Sequence, residues 1–253
     1  MNSEAVVLVH GTRTSHSQWD RQMPALRAAG YTVVAPDLPG HGTRRGEPFT
    51  LEAAITAIID AISRAATMTG SDDGAAERRV HLVGSSLGGM LAIHAAAARP
   101  AALASLTVCG GTVQPTPRTA RLYGRLLELV DRLPGGADGS SRLFRLLLGP
   151  DGARVYLRGG RAPAEVVRPS FDAVASLDLR ADLARIEVAV TFLHGRFDQM
   201  RVHERSFVAS TRKGRLAVLP YGTHMVNLNM PERFNADLLR VLARASAPPT
   251  LGS

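Results

Sequence analysis

The chain has 253 residues, of which 45% are hydrophobic and 21% are charged, so it can bury one sizeable core and is not generally disordered. Its formal charge is +8, but the arginines are scattered, Lys213 is the one lysine and aromatic residues make up 5%, a composition that argues against a nucleic-acid partner. No apolar run approaches the ~18 residues that span a bilayer, so we expect no membrane partner. The single cysteine, Cys109, excludes an internal disulfide, and the start of the chain lacks a secretory pattern, so we expect a cytoplasmic protein.

Six short segments rich in Val, Ile and Leu predict a mostly parallel sheet. None alternates between polar and apolar residues, which is typical of strands buried on both faces. These segments are Ala5–Val9, Thr32–Ala35, Val80–Val83, Leu103–Val108, Val188–Leu193 and Arg215–Leu219. Helical segments alternate with them, at Gln18–Ala29, Leu51–Ala66, Gly88–Ala98 and Pro231–Ala245. The alternation predicts an α/β fold with a central sheet of about six strands flanked by helices.

One interval interrupts this alternation. Residues 112–176 contain no convincing strand but three segments that can form amphipathic helices, Leu122–Leu133, Ser141–Leu148 and Pro163–Val174. We interpret them as a helical cap over a core made of residues 1–111 and 177–246; the alternative is a run of ordinary surface helices. Residues 247–253 are rich in Pro, Gly and Ser and are expected to form a flexible tail.

The most informative motif is Gly84-Ser85-Ser86-Leu87-Gly88, which fits G-x-S-x-G. A strand is predicted directly before it and a helix directly after it. Glycines two residues before and after Ser86 relieve collisions in a tight strand-to-helix turn, and the start of the helix favours developing negative charge. The motif therefore predicts a nucleophilic Ser86. The alternative is a turn rich in Gly and Ser that binds phosphate or simply packs.

Together with this motif, three further features make the chain resemble the α/β-hydrolase family over nearly its whole length. His10-Gly11 follows the first strand, as the oxyanion loop of that family does, and Ala35–Gly42 is similar to the loop after the next strand. Trp19 and Gln22 stand where many members carry an aromatic residue and a glutamine. The resemblance is to small members with a single cap, and it departs from the larger ones in beginning at the family's third strand.

The resemblance also implies a base and an acid for Ser86. The family's chain order is Ser, acid, His, and His224 follows the last strand, which makes it the first choice for the base. Asp198 ends a Gly-x-x-Asp segment that is similar to the family's acid motif. His203 is the second choice for the base.

Backbone N–H groups of Thr12 and Leu87 are the oxyanion hole that the resemblance implies. We expect the substrate to contact Gly11, His16, Trp19, Tyr123, Phe144 and Met225. Arginines of the cap could hold an anionic group of the substrate, or they could be solvated and reflect codon bias; they are Arg118, Arg121, Arg125 and Arg145.

The expected function is hydrolysis of a small-molecule carboxylic ester or thioester through an acyl-enzyme, without a metal or an organic cofactor. Three alternatives use the same fold. They are a cofactor-free lyase, cyclase or C–C bond hydrolase, a cofactor-free perhydrolase, and a non-catalytic receptor for a small molecule. The sequence does not specify the acyl group, the leaving group or the oligomeric state.

Overall fold

The computed structural model describes residues 4–68, 78–135 and 142–247, without the side chains of Leu143, Phe144 and Leu147. A six-stranded sheet forms its centre, in the order β2-β1-β3-β4-β5-β6, and every neighbouring pair is parallel. The strands are β1 (Glu4–Val9), β2 (Thr32–Val34), β3 (Arg79–Ser85), β4 (Leu103–Cys109), β5 (Ala189–His194) and β6 (Gly214–Val218). The predicted α/β fold is confirmed, and the carboxyl ends of all six strands meet at one edge of the sheet.

Helices cover both faces of the sheet. Val7 and Val9 of β1 face one apolar cluster, and Val6 and Leu8 face the other, as alternation along a strand requires. Helices α2 (Leu51–Thr67), α3 (Leu87–Ala97), α7 (Leu179–Arg185) and α8 (Glu204–Ala209) pack on the first face, and α1 (Met23–Ala28) and α10 (Pro231–Ser246) pack on the second. Because both faces are covered there, the central strands β1, β3, β4 and β5 are mostly apolar, whereas the edge strand β6 is half-exposed.

Of the described α-helices between β4 and β5, three fall within residues 112–176, the interval where the sequence predicts a cap. They are α4 (Pro117–Asp131), α5 (Arg142–Arg158) and α6 (Val167–Ala175), here called the inserted helices. Helix α5 is kinked at Gly149, directly before Pro150. Helix α6 buries Phe171 in the core cluster of the first face, and Tyr123 of α4 packs edge-on against that ring, with centroids 4.9 Å apart. The inserted helices are thus anchored to the core through α6.

The helices differ from the predicted ones in three respects. Two inserted helices are longer than predicted, since α4 begins at Pro117 and not at Leu122, and α5 continues past Leu148 to Arg158. The segment predicted as one helix at Gln18–Ala29 is a short 3-10 helix, His16–Trp19, followed by α1, because Pro24 starts a new helix at its first turn. Three helices were not predicted, α7, α8 and α9 (Val226–Asn229). They span seven, six and four residues, which is too short for helical periodicity to show.

Two remaining expectations concern the chain end and the membrane. The predicted tail begins at Ala247, and residues 248–253 lie outside the described residues. Among the helices that the structure describes, none is both long enough and apolar enough to span a bilayer.

Candidate active site

Ser86 occupies the turn between β3 and α3, with φ +53° and ψ −118°. Few residues with a side chain adopt a positive φ, so the turn is strained in the way that the glycine motif predicts. A Cβ atom at Gly84 would lie 2.4 Å from the carbonyl oxygen of Gly88, and one at Gly88 would lie 2.3 Å from that of His10. The two glycines therefore allow α3 to begin in close contact with the ends of β1 and β3.

Asp198 and His224 meet at the carboxyl ends of β5 and β6. The Nδ1 atom of His224 lies 2.9 Å from Oδ1 of Asp198, which also accepts the N–H of Met200 at 2.8 Å. The Nδ1 atom of His194 lies 3.4 Å from the other carboxylate oxygen of Asp198, Oδ2. Burial raises the pKa of Asp198, but the hydrogen bonds from His194 and His224 outweigh it and hold the pKa well below its ordinary range. Asp198 is therefore ionised, and it places a proton on Nδ1 of His224 and leaves Nε2 available.

A cavity of about 360 Å³ lies between this edge of the sheet and the inserted helices. Among the sequence-predicted site residues, Gly11, Thr12, Ser86, Tyr123, His224 and Met225 line it. Within the described residues, no hydrogen bond joins the Ser86 hydroxyl to His224. Such contacts are often long in unliganded enzymes and shorten when substrate binds. The structure thus brings Ser86 and His224 to one cavity, with Asp198 behind the imidazole.

The backbone N–H groups of Thr12, which lines the cavity, and of Leu87, which directly follows Ser86, have no acceptor in the described part of the chain. Neighbouring groups of the Thr12 loop are bonded. The N–H of Gly11 donates to Oε1 of Gln18 at 2.8 Å, and the N–H of Arg13 donates to Nε2 of His41 at 3.1 Å. Leu87 begins α3, where the helix dipole favours an anion. Both groups are suited to binding an oxyanion.

Gln18 links this loop to the nucleophile turn. Its amide oxygen accepts from Gly11, and its amide nitrogen donates to the Ser85 hydroxyl at 2.9 Å, with all three residues buried. One side chain therefore fixes the distance between the Thr12 loop and the residue before Ser86. No spacing in the sequence indicated Gln18, because its contacts join segments far apart in the chain.

His10 supports the same loop from beneath and is kept neutral. Its Nδ1–H donates to the carbonyl of Gly11 at 2.7 Å, and its Nε2 accepts the N–H of Leu38 at 3.0 Å. Complete burial, and then the nearby His41, lower the pKa of His10 from 6.5 to about 3. The neutral ring is needed because a protonated Nε2 cannot accept from Leu38.

The lowered pKa of His10 predicts that acid destabilises the protein. The unfolded chain binds a proton near pH 6.5 and the folded chain only near pH 3, so this contribution is complete above pH 6.5 and is lost as pH falls towards 3. Urea unfolding at several pH values across this window should give a free energy of unfolding that decreases as the pH is lowered. His10→Gln, which cannot titrate, should make the dependence shallower; an unchanged slope would contradict the assignment.

Two residues predicted to contact substrate lie elsewhere. Trp19 is completely buried in the second core cluster with Leu26 and Phe234, because the short 3-10 helix turns its ring towards the sheet. His16 bonds through Nδ1 to the carboxylate of Asp37 at 3.0 Å and lines a separate open groove. That groove, of about 1030 Å³, contains neither Ser86 nor His224. The side chain of Phe144 lies outside the described residues.

The cap arginines also lie away from the cavity. Arg118, Arg121, Arg125 and Arg145 are exposed and do not line it, which agrees with the alternative that they are solvated. Two other arginines do line it, Arg13 and Arg161, which both bond to Asp131 of α4. Sequence reasoning missed them because their approach depends on how α4 folds back over the loop after β1.

Tyr156 of α5 is a further residue that the sequence did not indicate. Its hydroxyl donates to the carbonyl of Thr12 at 3.0 Å, and its own carbonyl accepts from the Thr14 hydroxyl at 3.1 Å. The Ser17 hydroxyl donates at 2.9 Å to the carbonyl of Val155, the residue before Tyr156. The inserted helices therefore hold the Thr12 loop directly.

Known proteins are similar to this chain over nearly its whole length. Residues 6–237 match the model of the alpha/beta hydrolase family. The chain belongs to that family. This α/β-hydrolase is 30% identical to a Variovorax paradoxus protein named as a carbamate hydrolase, RutD, over 98% of this chain and 94% of that protein. It is 31% identical to a pimeloyl-[acyl-carrier protein] methyl ester esterase of Methylococcus capsulatus, over 77% of this chain and 76% of that one.

A solved structure shows the same fold. The thermophilic esterase of Thermogutta terrifontis superposes with a TM-score of 0.73 and 22% identity, covering 97% of this chain and 92% of that chain. The family and the hydrolases among its relatives make this α/β-hydrolase an enzyme of the hydrolase class.

Proposed function

We propose that the protein is a serine hydrolase that cleaves a carboxylic ester or thioester of a small molecule. The observation that carries the proposal is the 2.9 Å hydrogen bond from His224 to Asp198 beside a cavity that Ser86 also lines. A serine hydroxyl is a weak nucleophile unless a base removes its proton, and the base needs an acid to orient it. The names of the relatives support an esterase, since one of them is a methyl ester esterase.

Each residue of the site has its own role in the proposed reaction. Nε2 of His224 takes the proton of Ser86 as its oxygen attacks the acyl carbonyl, and the N–H groups of Thr12 and Leu87 bind the resulting oxyanion. The imidazolium of His224, stabilised by Asp198, then gives that proton to the departing alcohol or thiol. His224 then takes a proton from a water molecule whose oxygen attacks the acyl carbonyl. The bond from that carbon to the Ser86 oxygen breaks, and His224 returns the proton to Ser86 as the acid leaves.

The lining of the cavity indicates the kind of substrate. Its apolar side chains, among them Leu127, Val130 and Leu148, suit the hydrocarbon part of an acyl or alcohol group. Arg13 and Arg161 lie on the same wall, and Asp131, which bonds to both, offsets one of their two positive charges and leaves a net charge of +1. We therefore propose a small, largely apolar ester or thioester that carries an anionic group.

Carbamate hydrolysis is the second candidate. The observation that favours it is the similarity to the relative named as a carbamate hydrolase over 98% of this chain. A carbamate carbonyl is attacked in the same way but is less electrophilic, because its nitrogen donates electrons to it. The two candidates are distinguished by comparing kcat/KM for an acyl ester and for the carbamate of the same alcohol.

A burst experiment tests the acyl-enzyme. Mixing the enzyme with a p-nitrophenyl ester should release p-nitrophenol in a burst that matches the enzyme concentration, followed by steady turnover, if deacylation is slower than acylation. Rapid-quench mass spectrometry should show the acyl mass on the protein during turnover. A burst that matches the enzyme concentration without any acylated protein would contradict a covalent mechanism.

Gly110 gives a prediction about the position of His224. Its φ is +62°, and a Cβ atom there would lie 2.7 Å from both Cε1 and Nδ1 of His224 and 2.9 Å from Oδ2 of Asp198. Gly110→Ala should displace the imidazole and lower kcat by about 10²-fold, as misplacements of an ångström do. Gly149→Ala is the matched control, because Gly149 also has a positive φ, +72°, and no atom lies within 4 Å of its Cβ position. Equal activity of both variants would show that the imidazole position does not matter.

A further inference from the structure

The outward side of α4 carries two adjacent sectors of different chemistry. Leu122, Leu126, Leu129 and Leu133 follow one another at intervals of four, three and four residues, so they share one face of the helix. Arg118, Arg125 and Arg132 repeat every seven residues, about two turns, and Arg121 lies beside them. Arg132 and Leu133, the last residues of the two sets, lie just after the end of α4. Their backbone N–H groups still donate to carbonyl groups of α4, so the helical turn continues through them.

Both sectors face solvent. The four leucine side chains are between 49% and 69% exposed, although large apolar side chains are normally buried. The arginines are exposed as well, and within the described ranges none of the four forms a salt bridge. Glu128 is the one acidic residue on the exposed side of α4, at the far border of the arginine sector. Leucines and cations are thus presented side by side without a covering element in the described part of the chain.

We propose that the outward side of α4 binds an anionic lipid surface, with the leucine sector among the acyl chains and the arginine sector at the phosphates. A helix that lies in the plane of a bilayer has this division, with apolar side chains below the headgroups and basic side chains at their level. The expectation that the protein has no membrane partner rested on the lack of a spanning segment, and a helix lying on the surface needs none.

The shape of the surface favours lipid over a protein partner. The leucines project from the outward side of the helix, and none of the four pockets found among the described residues is lined by them. A second copy of the chain whose α4 packed antiparallel on the leucine sector would bring the two arginine sectors to the same side, where like charges repel. Anionic headgroups instead complement both this sector and the overall charge of +8.

Such binding would also place the cavity near the lipid. Tyr123, Leu127 and Val130, on the inward side of the same helix, line it. The helix is ~10 Å thick, so an amphiphilic molecule in the lipid surface would be about one helix diameter from the cavity. Binding itself does not depend on the proposed reaction, since Ser86 takes no part in it.

Co-sedimentation of the full chain with vesicles tests the proposal. The protein should sediment with vesicles of phosphatidylcholine mixed with phosphatidylglycerol, much less with phosphatidylcholine alone, and less as salt is added. The variant Arg118→Gln/Arg125→Gln/Arg132→Gln should weaken binding by at least about tenfold, because each arginine near an anionic membrane contributes to the binding free energy. The variant Leu122→Gln/Leu126→Gln should also weaken binding, because the attraction of the arginines to the phosphates does not replace the insertion of the leucines among the acyl chains.

A charge-matched control separates α4 from the general basicity of the chain. Arg27→Gln/Arg180→Gln/Lys213→Gln removes the same charge from exposed positions on other elements and should bind as the wild type does. Melting temperatures near that of the wild type show that each variant is folded. The proposal is wrong if anionic vesicles do not bind the protein, if the control loses as much affinity as the arginine variant, or if the leucine variant binds normally. It is also wrong if the wild type forms dimers that the leucine variant abolishes.

Discussion

Replacing Ser86 by alanine should reduce kcat for a carboxylic ester on the order of 10⁶-fold, as loss of the nucleophile does in known serine hydrolases. KM should change little, because the hydroxyl contributes to bond making and not to substrate binding. The fold should persist, since Gly84 and Gly88 still permit the turn and alanine is smaller than serine. Steady-state kinetics together with a thermal melt measure both effects.

Ser63→Ala is the matched control for that variant. Ser63 is exposed on α2, so removing its hydroxyl should leave kcat unchanged. If Ser86→Ala kept activity within a few-fold of the wild type while folding normally, another group would be the nucleophile. The acyl-enzyme mechanism would then be abandoned.

Asp198→Asn should lower kcat by about 10⁴-fold. The asparagine amide can donate to Nδ1 of His224, which then carries its proton on Nε2, and an imidazole of that tautomer cannot take the proton of Ser86. The change is nearly isosteric, so the loss should appear in kcat with little effect on stability from packing. Kinetics on the same ester measure it.

Asp151→Asn controls for the loss of one acidic side chain. Asp151 is exposed on α5 and pairs with Arg154 at 2.6 Å, away from the cavity, so its kinetics should match those of the wild type. Comparable activity of Asp198→Asn and Asp151→Asn would mean that the 2.9 Å contact with His224 has no catalytic consequence.

The sheet and the region around Ser86 could be predicted from the sequence because their signals are local. Doubly buried strands are continuous apolar runs, and the strained turn at Ser86 requires glycine at Gly84 and Gly88. The approach of His224 to Asp198 could be expected for a different reason. Both residues follow parallel strands, β5 and β6, and the carboxyl ends of parallel strands meet at one edge.

The rest of the site depends on contacts between distant segments. Gln18 reaches Ser85, and Tyr156 reaches Thr12 across 144 positions, through single hydrogen bonds that leave no periodicity in the sequence. Trp19 was assigned to the pocket from the family resemblance alone, yet a short 3-10 helix turns it into the core. The spacing of the leucines in α4 is typical of the buried face of an amphipathic helix. The structure shows that the opposite side of α4 packs against the protein and that these leucines are exposed.

Labelling with a fluorophosphonate probe, followed by mass spectrometric mapping of the adduct, tests the central claim most directly. The probe phosphonylates a serine only where a base activates it and an oxyanion hole receives the phosphoryl oxygen. We predict one adduct per chain, on Ser86, formed more slowly in Asp198→Asn and absent in Ser86→Ala. An adduct on another residue, or no adduct on the folded wild-type protein, would contradict the account.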